Sequence, residues 1–527
     1  MSQLPHQVSN SPVVVPHTVE QFESGSDDQS SVLQLDDNHG AVDISTPARD
    51  GGADEAVQVE DSFESLDPCL NDLSSVERNS HISDENRQQY RLSAPCVRTA
   101  STQVFSTFPS ALPSTIAILQ LQLPNIEQIR NLVDYHERYL LWYHGCYHGP
   151  TLRRELEDAL LECEDVLQID GLNLQWIALL FSIMAGSLAC ATDHLISEWG
   201  FWKGETSKLS KQWYKAAVTC LNQSEYTTNH QIFAVHAITT LSMSAHTLGL
   251  SEDLSVLLGA ALKIARSLGL DRLKYNPALD SIQEVSTIQQ RHRVLRREIG
   301  RRLWSQLCVQ DWFALPFTGS QCISLTDFTS TKPLNRDHVT MASLPESFPT
   351  YISYGNYVYN VAKLIAEHHI ATVRSSTPFT KYEQVMEFDA RMRNLARKEM
   401  PKYFHVTAPI DPSWPEFIPW ARRSLTISFA HKIIMIHRAF IRQSFANPAF
   451  QKTRVTCIAA AKTILKEAKQ EQEEDGPIIW IDQVSNLESS RHPTNKIRLS
   501  ASLLESSFAW TLYTEKTTIR CLSFMLS

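Results

Sequence analysis

Residues 176–191, WIALLFSIMAGSLACA, run for sixteen positions without a charged side chain. A helix that spans a bilayer needs about twenty apolar residues, and Asp170 and Asp193 stand just outside the two ends of this run. It therefore suits a buried helix. A helix that is apolar on every side has to be walled in by other elements, so the rest of the chain is read for what could surround it.

From Pro113 onward the pattern is helix after helix. Over Asn125–Tyr143, following Pro124, the residues Ile126, Ile129, Leu132, Val133, His136 and Leu140 fall on one stripe at helical spacing. Leu152, Leu156, Leu160, Cys163 and Leu167 repeat it over 151–167. The clearest case is 252–268. Ser251 is placed to cap it, Glu252 and Asp253 suit its positive end, and Leu257, Leu258, Ala261, Ile264, Ala265 and Leu268 line one face. Gly269 follows where a left-handed C-terminal turn is needed. Further helical stretches are expected near 283–313, 353–373, 380–399, 417–445 and 451–474, and no alternating run of comparable strength competes with them. The fold class is all-α, a multi-helix bundle or superhelical array.

Charge separates a head from this body. Residues 1–100 hold eighteen acidic residues against five arginines and no lysine, a balance of −13, and the remainder carries +3. Few aromatics and no persistent period mark 1–113 as a disordered acidic arm. Its stretch DSFESLDPCLNDLSSVE (61–77) mixes acids with isolated apolar residues. It reads either as a solvated tail or as a transient activation segment. The N-terminus lacks a basic region followed by an apolar one, so no signal peptide is expected. The ten cysteines are scattered without a CxxC pair, which does not suit a disulfide framework. The chain reads as soluble and intracellular.

Three constellations bear on chemistry. His144, Cys146 and His148 supply metal donors, but Gly145 interrupts them and Gly149-Pro150 follows at once. Structural zinc needs four ligands, usually in spaced pairs, and no second pair can be named. The stretch is taken as a polar helix end, and no metal ligand is assigned. His368 and His369 are adjacent and diverge on a helix, so they cannot share an ion. No catalytic motif is present, no catalytic or cofactor-binding residue is named, and the chain is not read as an enzyme. RHRVLRREIGRRLW (291–304) is the strongest basic run, yet Leu295, Ile299, Leu303 and Leu307 give it a buried stripe and Glu284 and Glu298 lie close. Its arginines are expected to brace the helix by ion pairs instead of reading a nucleic-acid groove.

LLGAALKIARSLGLDR (257–272) followed by REIGRRLWSQLCVQDWF (297–313) resembles the regulatory middle homology region of fungal zinc-cluster transcription factors. The matching positions are Gly259, Ala261, Ala265, Leu268, Gly269 and Leu270, then Glu298, Arg301, Arg302, Trp304, Asp311 and Trp312. The family's His-Arg-Pro-Phe signature is present as His437, Arg438, Ala439 and Phe440, and LVDYHERYLLWYHGCYHGPTLRREL (132–156) is similar to its first helix. The likeness covers about 120–483 and sets the regulatory domain at 114–483. It implies a nuclear regulator of transcription acting through other transcription factors or co-regulators; contact with DNA is expected to be indirect because of the missing zinc cluster described below, and the short apolar run gives no reason to expect a membrane span. It also admits a homodimer and a small-molecule effector, held in a pocket among aromatic and histidine side chains such as Trp176, His236 and His246.

The chain departs from the family in three places. Most members carry six N-terminal cysteines that bind two zinc ions; here only Cys69 and Cys96 precede residue 146, and an acidic head repels phosphates. No cofactor is expected in this chain, zinc entering only with a cluster missing upstream. The family's Gly-Arg-Pro turn is replaced by TGSQ (318–321). Residues 476–483, GPIIWIDQ, fit the family, whereas 484–527 do not, and Val484-Ser485 is what a translated splice donor encodes. That tail is read as translated intron. Two alternatives stay open: a full DNA-binding zinc-cluster factor with a truncated gene model, and a non-nuclear α-helical scaffold or sensor. A third, a metalloenzyme on His144, Cys146 and His148, needs ligands the sequence does not supply.

Overall fold

The apolar run does lie inside a wall of helices. The structure, a computed structural model, describes residues 113–161, 167–281, 287–468 and 476–479. The acidic arm up to residue 112, the tail 484–527 and Glu284 lie outside them. In chain order the helices are α1 (Pro113–Gln120), α2 (Ile126–Tyr135), α3 (Gly149–Leu161), α4 (Leu174–Cys190), α5 (Asp193–Glu198), α6 (Thr206–Gln223), α7 (Ile232–Ala245) and α8 (Ser251–Ser267). They continue as α9 (Pro277–Asp280), α10 (Ile288–Thr318), α11 (Ser353–Arg374), α12 (Pro378–Asn394), α13 (Ile418–His437), α14 (Gln443–Ala446) and α15 (Gln451–Ala468). Among the described residues the one β-type pairing is an isolated bridge between Arg336 and Ser343. The body is all-α.

The run predicted to be buried is α4, and every residue from Gln175 to Leu188 is out of solvent. No helix among the described residues is long and apolar enough to cross a membrane. The helix packs against α2, α6 and α7, and hydroxyls fasten those contacts to backbone carbonyls. Ser187 donates to the Leu132 carbonyl of α2 at 2.7 Å, and Ser210 of α6 donates to the Ala185 carbonyl of α4 at 2.7 Å. The Tyr135 hydroxyl reaches the Cys190 carbonyl at 2.8 Å. The amide of Ile478, in the last described segment, donates to that same carbonyl at 2.8 Å. Ile479 beside it is buried.

Local sequence explains most helix ends. Asn125 and Gln128 form a reciprocal capping box at the start of α2, and Thr287 with Gln290 do the same for α10. From Tyr135, α2 passes through a π-turn (His136–Leu140) into a last turn, Leu141–His144, closed by Gly145 at φ 61°. The stripe of Ile129, Leu132, Val133, His136 and Leu140 is buried as its spacing predicts. At α8 the reading needs one correction. Leu250 takes the cap position, and Ser251 is the first helical residue, its hydroxyl 2.9 Å from His246 Nδ1 and not on a backbone amide. Gly269 adopts φ 73°, the left-handed turn expected there.

Among the described residues α10 is the longest helix; α11 packs against it, α12 against α11, α13 against α12 and α15 against α13. A small satellite core of Ala430, Ile434, Ile441, Cys457, Ala460 and Ala461 joins α13 to α15.

Because α4 is enclosed on all sides, truncation there leaves a cavity that cannot collapse. Leu180 is fully buried, and Leu180→Ala should cost about 2–5 kcal/mol, read as a lowered urea midpoint with unchanged slope.

Candidate functional site

The opening polar stretch, the basic run and the start of α7 meet at a cleft of about 540 Å³. One wall is α3, the second the N-terminal turns of α7 and the third the first turns of α10; the loop 339–341 covers the remaining side. Leu152, Leu179, Phe233, Leu295, Ile299 and Met341 give it an apolar lining. Arg154, Glu155, Asp158, Arg291, His292 and Arg296 add charge and polarity. Met341 is held at φ 60°, a conformation that non-glycine residues rarely adopt, and its carbonyl accepts from Arg336 Nη1 at 2.8 Å.

The two cleft histidines have defined protonation. His148 Nε2 lies 2.6 Å from the His338 carbonyl, which can only accept, so Nε2 carries the proton and Nδ1 accepts from Thr151 Oγ1 at 2.7 Å. His236 Nδ1 donates to the Cys146 carbonyl, which leaves Nε2 as an acceptor. Burial lowers both to about 4, so both are neutral near pH 7. Glu155 is shifted the other way. Burial raises it to about 7, against the downward pull of the Trp176 indole, which donates to Oε2 at 2.9 Å, and of Arg154.

His144, Cys146 and His148 do not converge. His144 Nδ1 accepts the Cys146 amide at 3.1 Å, the Cys146 thiol turns to the His144 carbonyl at 3.4 Å, and His148 faces Thr151 and His338. Among the described residues no three metal-ligating side chains are grouped. The expected pocket also needs revision. Of Trp176, His236 and His246, His236 alone lines the cleft. Trp176 stands behind Glu155, fully buried, and His246 lies at the far end of α7, exposed and turned to Ser251.

The basic run divides by helical face. Arg291, His292 and Arg293 are exposed, whereas Arg301 and Arg302 are buried. Arg301 Nη2 lies 2.6 Å from Asp280 Oδ2 and its Nη1 3.4 Å from Glu298 Oε2, with all three side chains sealed from solvent. Arg297 Nε meets Asp280 Oδ1 at 2.8 Å, and Arg302 Nε lies 3.7 Å from Glu298 Oε1. Glu298 Oε1 also accepts the Leu334 amide at 3.0 Å, while the Asp280 carbonyl accepts from Arg336 Nη2. Bracing by ion pairs is thus what Arg297, Arg301 and Arg302 do. Asp280, the acid at the centre, was missed. The local signal was Asn276-Pro277, a cap followed by proline, which starts the single turn that ends on it.

The signature positions on α8, on α10 and at the end of α13 lie elsewhere, and none of them lines the cleft. On α8, Ala261 and Ala265 are fully buried, Gly259 is exposed with open space where a Cβ would stand, and Gly269 makes the turn after the helix. On α10, Arg301 and Arg302 hold the ion-pair network and Trp304 packs edge-on against Phe328. Two turns further, Asp311 accepts the amides of Cys322 and Ile323, and the Trp312 indole donates to the Ile323 carbonyl at 2.9 Å, so this pair grips the loop containing Ser320 and Gln321. At the end of α13, His437 sits between Thr453 (2.9 Å) and Asp389 (3.4 Å). Arg438 donates to the Pro316 carbonyl of α10 at 3.0 Å, and Phe440 packs on Tyr382 and Phe450. Glu155 and Arg296 of the cleft were not singled out as site residues. Glu155 sits on the shoulder of the α3 stripe, between Leu152 and Leu156, a place where a charged side chain is drawn toward the interior.

Fold and cleft together describe an all-helical body with an open cleft between its helices. The chain is similar in sequence to two fungal proteins: a probable transcription factor, lepB, of Aspergillus flavus, 23% identical over 390 residues, 68% of this chain and 65% of that protein; and the agnestins biosynthesis cluster transcription factor AgnL11 of Paecilomyces divaricatus, 22% identical over 363 residues, 66% of this chain and 51% of that protein. The chain thus spans between half and two thirds of the length of these relatives. No family model matches. The two relatives bear out the resemblance to a fungal transcription factor regulatory region.

Two outcomes follow from this geometry. Arg301→Ala leaves Asp280 and Glu298 short of a buried partner and should cost about 3–5 kcal/mol, whereas Arg293→Ala, on the exposed face, should change stability by less than about 0.5 kcal/mol; paired thermal melts distinguish them. For Glu155 the folded carboxyl titrates above its ordinary value of 4.5, at about 7. The unfolded chain therefore loses this proton first, and wild-type stability falls as pH rises between those two values. Glu155→Gln removes that fall, so its melting temperature relative to wild type should climb from pH 4.5 to 7 and level off above.

Proposed function

We propose that this chain is a nuclear, pathway-specific regulator of transcription whose helical body acts through other transcription factors or co-regulators and responds to a small molecule held in the cleft. The observation that carries this reading is the similarity of the helical body to two proteins named as transcription factors, one of them tied to a biosynthesis cluster. In this reading the chain is not an enzyme, and its contact with DNA is indirect. The inward pairing of Arg297, Arg301 and Arg302 supports that, since it removes three cations from the surface that phosphates would meet. A cleft of about 540 Å³ falls in the range of small-molecule sites, and it lies apart from the signature residues, so a ligand and a partner could be held at once.

The test is a tethering assay. The full chain, fused to an unrelated DNA-binding module, is placed upstream of a reporter in a fungal host, with nuclear location followed by microscopy. A several-fold change in reporter output, in either direction, is expected. An unchanged reporter with the fusion present in the nucleus, or a chain that stays out of the nucleus without a fusion partner, would overturn the proposal.

A further inference from the structure

We propose that the cleft between α3, α7 and the start of α10 takes an organic acid with an apolar body and a separate hydroxyl group, the acid pairing with Arg296 and the hydroxyl donating to His236 Nε2. This rests on the effector reading above and adds the chemical class.

The argument begins with what the walls leave unsatisfied. Arg296 is half-buried, and burial lowers its guanidinium from its ordinary value. Its neighbours Arg297, Arg301 and Arg302 each find a carboxylate inside the protein. Arg296 has no ion-pair partner among the described residues, and neither do Arg154 and Arg291 beside the same cleft. A half-buried cation without a counter-ion is costly, and a ligand anion would relieve that cost with a charge-assisted, two-pronged contact. Of the two carboxyl groups on the α3 wall, Asp158 is exposed and burial raises Glu155 to about 7, so it is partly protonated near neutral pH. The cleft is therefore net positive, which disfavours a cationic ligand.

His236 supplies the second requirement. With Nδ1 donating to Cys146, the ring presents a bare lone pair at Nε2, and no described residue donates to it. A ligand hydroxyl matches it; a second acceptor would not. The apolar side chains of Leu179, Phe233, Leu295 and Ile299 then require a hydrophobic body between the two polar ends.

The probe is 6-hydroxy-2-naphthoate, in which two fused rings separate acid from hydroxyl. Its binding to the purified full chain is measured by calorimetry beside 2-naphthoate, which lacks the hydroxyl, and 2-naphthol, which lacks the acid. The hydroxy acid should bind best, 2-naphthol about tenfold more weakly and 2-naphthoate several-fold more weakly. Arg296→Gln, at a half-buried position, should abolish the advantage of the acid while the melting temperature of the free chain stays level or rises, because an unpaired cation is removed. The comparison of the three probes on the unaltered chain stands even if a variant misfolds. Equal binding of 2-naphthol and the hydroxy acid, full affinity in a folded Arg296→Gln chain, or no binding of any probe would overturn the proposal. If the probes fail while the tethered chain still moves its reporter, the ligand class is wrong and the transcriptional reading stands. Binding in the expected order with a silent reporter means the reverse.

Discussion

Asp280 is the point on which the cleft-bearing half of the body turns. Its carboxylate takes Arg297 and Arg301 of α10 and the amide of Asn276, while its carbonyl takes Arg336. Arg336 in turn holds the Met341 carbonyl, and so sets the strained loop that closes the cleft. One buried acid thereby fixes the rotation of a long helix and the course of a distant loop. Such a pair yields little net stability, because removing two charges from water costs nearly what their attraction returns. It yields direction: an apolar contact in its place would let α10 turn about its own axis, and would carry Arg296 with it.

Much of the fold was legible because burial writes itself at helical spacing. The stripes of α2, α3 and α8 and the uncharged run of α4 were read from periodicity and lie where expected. α6 went unassigned; its buried Trp213, Tyr214, Ala216 and Ala217 alternate with exposed lysines too densely for the stripe to stand out. Helix ends were less certain. At α8 a serine in the right place lost the cap position because its hydroxyl had a histidine to meet.

The site was much less legible, and the reason is geometric. Its lining comes from four helices and the loops at 147–148 and 339–341, and no single window of sequence contains that arrangement. Of the histidines chosen by chemistry alone, His236 faces the cleft, and His246, ten residues on in the same apolar stretch, does not. Arg301 could be assigned an ion pair from charge pattern, with Glu298 as one partner. Asp280, twenty-one residues upstream, could not.

The junction at Cys190 has a bearing on how this chain is made. The carbonyl that ends α4 receives the hydroxyl of Tyr135 and also the amide of Ile478, so an early core helix is sealed by a segment made far later in the chain. Until then α4 would sit with one end open, and its sixteen uncharged residues would depend on α2, α6 and α7 for cover. Interactions that wait for so distant a partner slow folding and lengthen exposure of apolar surface. During synthesis, the time between those two segments is the period in which chaperones matter most to this chain.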